Sequence, residues 1–182
     1  MVSNEQLARI RLLACDVDGV ITDGALIYSS GSMELKVFNI KDGLGIKLAG
    51  WCGLPVIWLT GRKSEAVAWR ADELGVQVYQ GAADKEAGLR RVARDKGVSL
   101  SEIAYIGDDL NDLPAMRLAG LPAAVADAAP EVAALAAYVT QAPGGHGAVR
   151  ELIEYILRGQ GRWEAAIETY LGNTRTVERP AQ

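Results

Sequence analysis

Four short clusters of polar residues hold the chemistry open to this chain. They are Asp16-Val17-Asp18-Gly19, Thr60-Gly61-Arg62, Lys85, and Gly107-Asp108-Asp109 with Asp112 one turn later. Several carboxylates with no histidine among them make a site for a hard cation, and magnesium takes such oxygen ligands while keeping several waters. The cation offsets repulsion among Asp16, Asp18 and Asp108. Thr60 and Lys85 bring a hydroxyl and an ammonium suited to phosphate oxygens, and Gly19 with the backbone amides after Asp16 can add further donors. A metal with these donors around a carboxylate is equipped for phosphoryl transfer. The spacing within the first cluster matters, because two aspartates two apart can face one site as a strand bends into its loop. One can attack phosphorus and form an aspartyl-phosphate. The other can protonate the leaving alcohol and then deprotonate water.

Composition removes most other chemistries. The single histidine, His146, and two cysteines, Cys15 and Cys52, cannot build the usual four-ligand Cys/His zinc site. A nucleophile–histidine centre would have to pass through His146 alone. Two unpatterned cysteines point to a reducing compartment. No glycine-rich Walker loop supports a nucleotide P-loop. With 19 Lys and Arg against 23 Asp and Glu, the net charge of −4 offers no basic field for nucleic acid or anionic membrane. No apolar run reaches the ~20 residues of a membrane span, and the N-terminus lacks a signal-peptide pattern. The expectation is therefore a cytoplasmic protein with a small-molecule partner. A chain of 182 residues with 49% hydrophobic residues suits one domain with a real core.

The elements that must position the clusters are legible in the periodicity. Continuous apolar runs at 10–17, 54–59, 76–79, 103–106 and 121–125 read as buried strands, and helical stretches separate them, which indicates a parallel sheet covered on both faces. The polar clusters follow the strands' carboxyl ends, where ligands bind in open α/β sheets. Residues 63–74 place Val67, Ala71 and Leu74 on one helical face, with Gly75 as the stop; Thr60 is a candidate cap. Asp84 caps a helix to Lys96 that stops at Gly97. Val149, Leu152, Ile153, Ile156 and Leu157 form the clearest amphipathic stripe. Residues 25–28 and 33–38, with a turn at 29–32, read as a β-hairpin. Its alternating Leu26, Tyr28, Met33, Leu35 and Val37 leave an apolar face that a neighbouring subunit could cover. Trp51 and Trp58 read as core, Cys15 as a core thiol. The fold expected is a Rossmann-like three-layer α/β sandwich with a central parallel sheet, a hairpin flap at about 24–38 and no cap domain. The domain spans 1–160, and 161–182 reads as a tail with one helical turn near 163–171.

Taken together and in order, the DVDGV, LTGR, Lys85 and GDDLND motifs resemble the four motifs of the haloacid-dehalogenase superfamily. The second aspartate, Asp18, places the chain with the phosphatases and phosphomutases rather than the dehalogenases. The hairpin, the run Phe38-Asn39-Ile40-Lys41-Asp42-Gly43-Leu44-Gly45-Ile46-Lys47, the Tyr79-Gln80-Gly81 step and the stretch from Gly144 to Glu151 are similar to the capless branch acting on 3-deoxy-D-manno-octulosonate 8-phosphate, over about residues 10–160. The resemblance implies Asp16 as nucleophile and Asp18 as general acid/base. It implies magnesium on Asp16, the main-chain carbonyl of Asp18, and Asp108, with Thr60 and Lys85 on the phosphoryl group. Substrate contacts fall on Asp18, Asn39, Ile40, Lys41, Asp42, Gly43, Lys47, Arg62, Arg70 and Lys85. Arginines suit a sugar acid, because guanidinium grips carboxylate bidentately. The resemblance also implies a homotetramer, with Arg70 reaching across a subunit boundary, and a place in lipopolysaccharide precursor synthesis. His146 stands where the closest relatives often carry arginine, and Ala82-Ala83 makes the loop before Lys85 less polar than usual. Relatives acting on nine-carbon sialic-type sugar phosphates tend to carry an acid after Leu-Thr-Gly; Arg62 here favours the eight-carbon substrate. A phospho-receiver domain is a weaker match, since it must preserve its aspartyl-phosphate and carries the acceptor on a middle strand.

Overall fold

The computed structural model describes residues 2–29 and 34–177, with side chains as far as residue 172. Residues 30–32 of the expected hairpin turn, Met33 and the end of the expected tail lie outside the described residues. In chain order the first elements are α1 (Asn4–Ala8), β1 (Leu12–Cys15), β2 (Ile27–Tyr28), β3 (Glu34–Leu35) and α2 (Ile40–Trp51). Next come β4 (Val56–Leu59), α3 (Glu65–Leu74), β5 (Gln77–Tyr79), α4 (Lys85–Lys96), β6 (Ile103–Gly107) and α5 (Leu113–Met116). The chain continues through β7 (Leu121–Ala124), α6 (Pro130–Leu135), β8 (Tyr138–Val139), α7 (Ala148–Gly159) and α8 (Trp163–Val177).

The main sheet has the order β5-β4-β1-β6-β7-β8, and every pair in it is parallel. Side-chain alternation divides the core into two layers. Leu13 and Cys15 of β1, Trp58 of β4 and Ile106 of β6 pack with α2, α3, α7 and α8; Leu12, Ala14, Ile57 and Tyr105 pack with α4, α5 and α6. The three-layer sandwich is thus the one expected. From β1 the chain builds outward to β4 and β5, then returns to β6 on β1's other side. The carboxyl ends of β1 and β6 therefore flank the point where strand order reverses, the usual ligand crevice of such sheets.

The stripe expected on α7 is fully buried from Val149 to Leu157. Asp84 caps α4 through Ala87 N (3.0 Å), and Gly75 and Gly97 end their helices in the left-handed region. Five local expectations need correction. Among the described residues the hairpin strands pair over two residues each. Helix α3 begins at Glu65 with Ser64 at its N-cap position, so Thr60 caps nothing. Trp51 is about half-exposed rather than core and stacks on Tyr170 of α8. The short strand β8 extends the sheet beyond β7. Residues 163–177 form a full helix instead of a tail with one turn. Trp163 and Ala166 of that helix enter the core, and the guanidinium groups of Arg150 and Arg158 each lie 5.1 Å from the Trp163 ring.

Candidate active site

Strand β1 delivers the first cluster. Asp16 is still held in the sheet by its N–H to Ile106 O (3.0 Å), and the chain then turns away through Asp18 and Gly19. Gly19 has φ +89°, and a Cβ there would stand 2.0 Å from Asp108 Oδ2. Only glycine lets the loop after β1 come this close to the loop after β6. The loop before α7 presses on the same turn: a Cβ on Gly144 would lie 1.7 Å from Gly19 O, and Gly145 N donates to Val20 O at 2.9 Å.

Strand β6 delivers Asp108, and the 3-10 turn Leu110–Asp112 folds Asp112 back beneath it. Asp112 is fully buried. Its Oδ2 accepts from Asp108 N (2.9 Å) and Asp109 N (3.4 Å); its Oδ1 accepts from Tyr105 Oη (2.7 Å) and Lys85 Nζ (3.1 Å). Lys85, the first residue of α4, points inward and is 1% exposed. Its ammonium also donates to Asp16 Oδ1 (2.6 Å), Leu59 O (2.8 Å) and Tyr105 Oη (3.2 Å). A buried ammonium so surrounded fixes the carboxylates that face it. Thr60 is buried at the end of β4, and its Oγ1 accepts from Arg62 N at 3.2 Å.

Asp16, Asp18, Thr60, Gly61, Arg62 and the stretch Asp108 to Asn111 line one cavity of about 440 Å³. A cavity of about 480 Å³ lies below the strands' opposite ends, between Ile10, Arg11, Pro55 and Arg162; it contains no carboxylate and no hydroxyl.

Charge is concentrated at the first cavity. Burial, then the negative charge of Asp112, push Asp16 up to about 7 against the opposing pull of Lys85. Burial, then Asp112 and Asp16, push Asp108 up to about 8. Oxygen atoms of Asp16, Asp108 and Asp112 lie within 4.8 Å of one another. Such a carboxylate set, with a glycine giving Asp108 room, fits a hard divalent cation. Asp112 is committed to Lys85, Tyr105 and two amides, so it orients the site's other groups.

The structure places the expected substrate residues in two groups. Arg62 lines the cavity, with Nη2 2.6 Å from Glu34 Oε1 and Nε 3.8 Å from Asp18 Oδ2. Asp18 lines it too, and Lys85 lies at the start of α4; the rest lie along α2 and α3, away from the cavity lining within this one chain. Asn39 caps α2 through Lys41 N (2.8 Å) and donates to Gly145 O (3.3 Å). Ile40 and Lys41 are exposed, as is Lys47. Asp42 is buried and accepts from Arg150 N (2.7 Å) and Gly147 N (3.1 Å), so its carboxylate serves the start of α7. Arg70 pairs with Glu73 at 2.7 Å, and its guanidinium lies against Gly43. His146 Nδ1 is 2.8 Å from Gly144 O.

Lys36, Glu34 and Tyr105 lie outside the four motifs, and Asp112 lies inside the fourth without a role implied for it. The hairpin alternation held the signal for two of them. If Leu35 and Val37 face outward, Glu34 and Lys36 face the site; Leu35 and Val37 are 45% and 63% exposed.

The sequence profile of the haloacid dehalogenase-like hydrolases matches residues 59–152. The 3-deoxy-D-manno-octulosonate 8-phosphate phosphatase KdsC of Yersinia pestis is 42% identical over 163 residues, which are 89% of this chain and 87% of that protein. The chain belongs to the haloacid dehalogenase-like hydrolase family. Two solved members of the family have the same fold. A subfamily III A hydrolase from Legionella pneumophila has a TM-score of 0.90 and 40% identity, covering 93% of each chain. The 3-deoxy-D-manno-octulosonate 8-phosphate phosphatase of Moraxella catarrhalis, crystallised with magnesium, phosphate and KDO, has a TM-score of 0.88 and 41% identity. It matches over 92% of this chain and 97% of its own.

Proposed function

We propose that this haloacid dehalogenase-like hydrolase is a magnesium-dependent phosphatase that hydrolyses 3-deoxy-D-manno-octulosonate 8-phosphate to the free sugar acid and phosphate. The observation that carries the reading is the meeting of Asp16, Asp18, Thr60 and Asp108 around one cavity, with Lys85 beneath and the cation of Arg62 in its wall.

Asp16 is the nucleophile. Its carboxylate oxygen forms a bond to phosphorus as the bond to the sugar oxygen breaks. Lys85 holds that carboxylate in position, and with Thr60 it donates to the phosphoryl oxygens. Asp18 gives its proton to the departing sugar oxygen. In the second step Asp18 takes a proton from water, whose oxygen attacks phosphorus and releases Asp16 with inorganic phosphate. Asp16, the main-chain carbonyl of Asp18 and Asp108 would hold magnesium, which when bound supplies positive charge against the crowded carboxylates and phosphoryl oxygens. Arg62 pairs with the substrate carboxylate.

The remaining substrate residues, Asn39 to Gly43, Lys47 and Arg70, act in an assembly. The flap exposes Leu26, Ile27, Tyr28, Leu35 and Val37, and a two-stranded hairpin is marginal by itself. Packing such flaps together in a homotetramer buries that face and lets Arg70 approach a neighbour's cavity. Among the described residues no helix is long and apolar enough to cross a membrane. The location belonging to this reading is the cytoplasm, supported by two cysteines that are both free thiols. The phosphatase domain, proposed at 1–160 from its motifs, continues structurally into α8.

The test is phosphate release, with magnesium, from a panel holding the eight-carbon sugar acid phosphate, a nine-carbon sialic-type sugar acid phosphate and a neutral hexose phosphate. The eight-carbon substrate should lead in kcat/KM. A lead by either other compound overturns the substrate assignment.

A further inference from the structure

Lys36 belongs to none of the four motifs, yet its side chain is 1% exposed and its ammonium donates to Asp18 Oδ1. Nζ also lies 3.5 Å from Glu34 Oε1. Arg62 closes the ring by touching Glu34 and Asp18 from the cavity side. Two cations and two anions thus join the flap strand to the site's floor. Within the single chain the flap's Leu35 and Val37 point outward, so Lys36 faces the site, and burying an ammonium is costly unless it is closely paired. Among the described residues the cationic partners of Asp18 are Lys36 and Arg62. Arg62 is the group assigned to the substrate's carboxylate, so on binding it is drawn from Asp18, and Lys36 is the partner that stays. Lys36 does not line the cavity, whereas Asp18 does.

We propose that Lys36 is the positioning residue for Asp18: it fixes the carboxyl group so that one rotamer serves both steps, and it makes that alignment depend on a seated flap. The proposal rests on the phosphatase reading of Asp18 given above, and it is independent of which sugar acid is the substrate.

The test is a double-mutant cycle on the magnesium-loaded enzyme, assayed with a small aryl phosphate and with the sugar acid phosphate. Lys36→Met keeps the apolar stem and removes the charge. Losing a charge-assisted contact of this kind should lower kcat about 10- to 150-fold with KM within about 3-fold. In an Asp18→Asn background the same change should alter residual kcat by less than about 3-fold, because the group being positioned is already gone. An equal loss in both backgrounds, an unchanged kcat, or a raised KM with kcat kept would overturn the proposal. Should Lys36→Met unfold, thermal melting completes the cycle, since removing both charges leaves neither unpaired. Recovery of the fold in the double variant supports the pairing, and a double variant no more stable than the single one refutes it. Because the aryl phosphate reads the chemistry alone, a wrong sugar assignment shows up only in the substrate panel.

Discussion

Replacing Asp112 with asparagine removes one charge from the most enclosed part of the site without changing its volume. The carboxylate accepts from Tyr105 Oη, Lys85 Nζ and the amides of Asp108 and Asp109. An amide can satisfy only one side. If its oxygen keeps Lys85 and Tyr105, its NH2 meets the Asp108 N–H at 2.9 Å, donor against donor. Leaving that buried amide unpaired costs about 1–3 kcal/mol, and weakening the charged contact to Lys85 costs about 1.5–3 kcal/mol. One effect opposes these: Asp112 helps raise both Asp16 and Asp108, so its neutralisation relieves them. We expect a net loss of about 2–4 kcal/mol, which at about 2 kcal/mol per molar urea lowers the unfolding midpoint by about 1–2 M. The assay is urea unfolding of metal-free protein at fixed protein concentration, followed by magnesium titration across pH. The relieved Asp108 should let magnesium bind at lower pH in the variant. An unfolding midpoint within about 0.3 M of wild type, together with an unmoved pH midpoint for magnesium, would refute the role given to Asp112.

Asp16→Asn should lower turnover by a factor on the order of 10⁴ or more, because an amide cannot attack phosphorus; steady-state phosphate release with a thermal melt separates this from unfolding. Arg62→Ala should raise KM for the sugar acid phosphate about 10- to 150-fold and leave a small neutral aryl phosphate within a few-fold, since only the former has a carboxylate to pair. In the metal-free protein Asp16 and Asp108 titrate at about 7 and about 8 against an unfolded value of 3.8. Their contribution to stability is therefore complete below the unfolded value and is lost as pH rises through the folded values, so the metal-free melting temperature should fall from pH 5 to pH 8. Magnesium must displace those protons, so the rise in melting temperature it produces should be larger at pH 8; equal increments at both pH values would contradict the assignment.

The catalytic floor was legible because it lies at strand ends. A buried parallel strand is a short apolar run, and the polar residue after it falls at the sheet's carboxyl edge whatever the rest of the fold does. Asp16, Thr60 and Asp108 are of this kind. Lys85 was harder, because the first residue of a capped helix is usually solvated; its burial depends on Leu59 O, Tyr105 and Asp112 lying opposite. Lys36 is legible only through the alternation of a strand whose register with β2, among the described residues, spans two pairs. Helix α2 was muted in the periodicity by Gly43, Gly45 and Gly50, which weaken helix propensity. For the first two the reason is tertiary: a Cβ on Gly45 would meet Arg150 Cδ at 2.7 Å, and one on Gly43 would meet Arg70 Nη2 at 2.5 Å, whereas Gly50 faces open space. Asp42 points the same way, since nothing local to α2 announces that its carboxylate accepts from amides at the start of α7. Helix α8 looks like a tail in the sequence because glycines at 159 and 161 punctuate the chain there. What seats it is Trp163 under two arginines of α7, a contact with no local signature.

In the proposed reaction Asp16 takes the phosphoryl group from an eight-carbon sugar acid phosphate. The direct measurement is rapid quenching of the magnesium-loaded enzyme with radiolabelled 3-deoxy-D-manno-octulosonate 8-phosphate in excess, followed by peptide mapping. The expected result is an acyl-phosphate on the peptide containing Asp16, formed within the first turnover and discharged by hydroxylamine. Phosphate release without label on that peptide, or label on another residue, would contradict it.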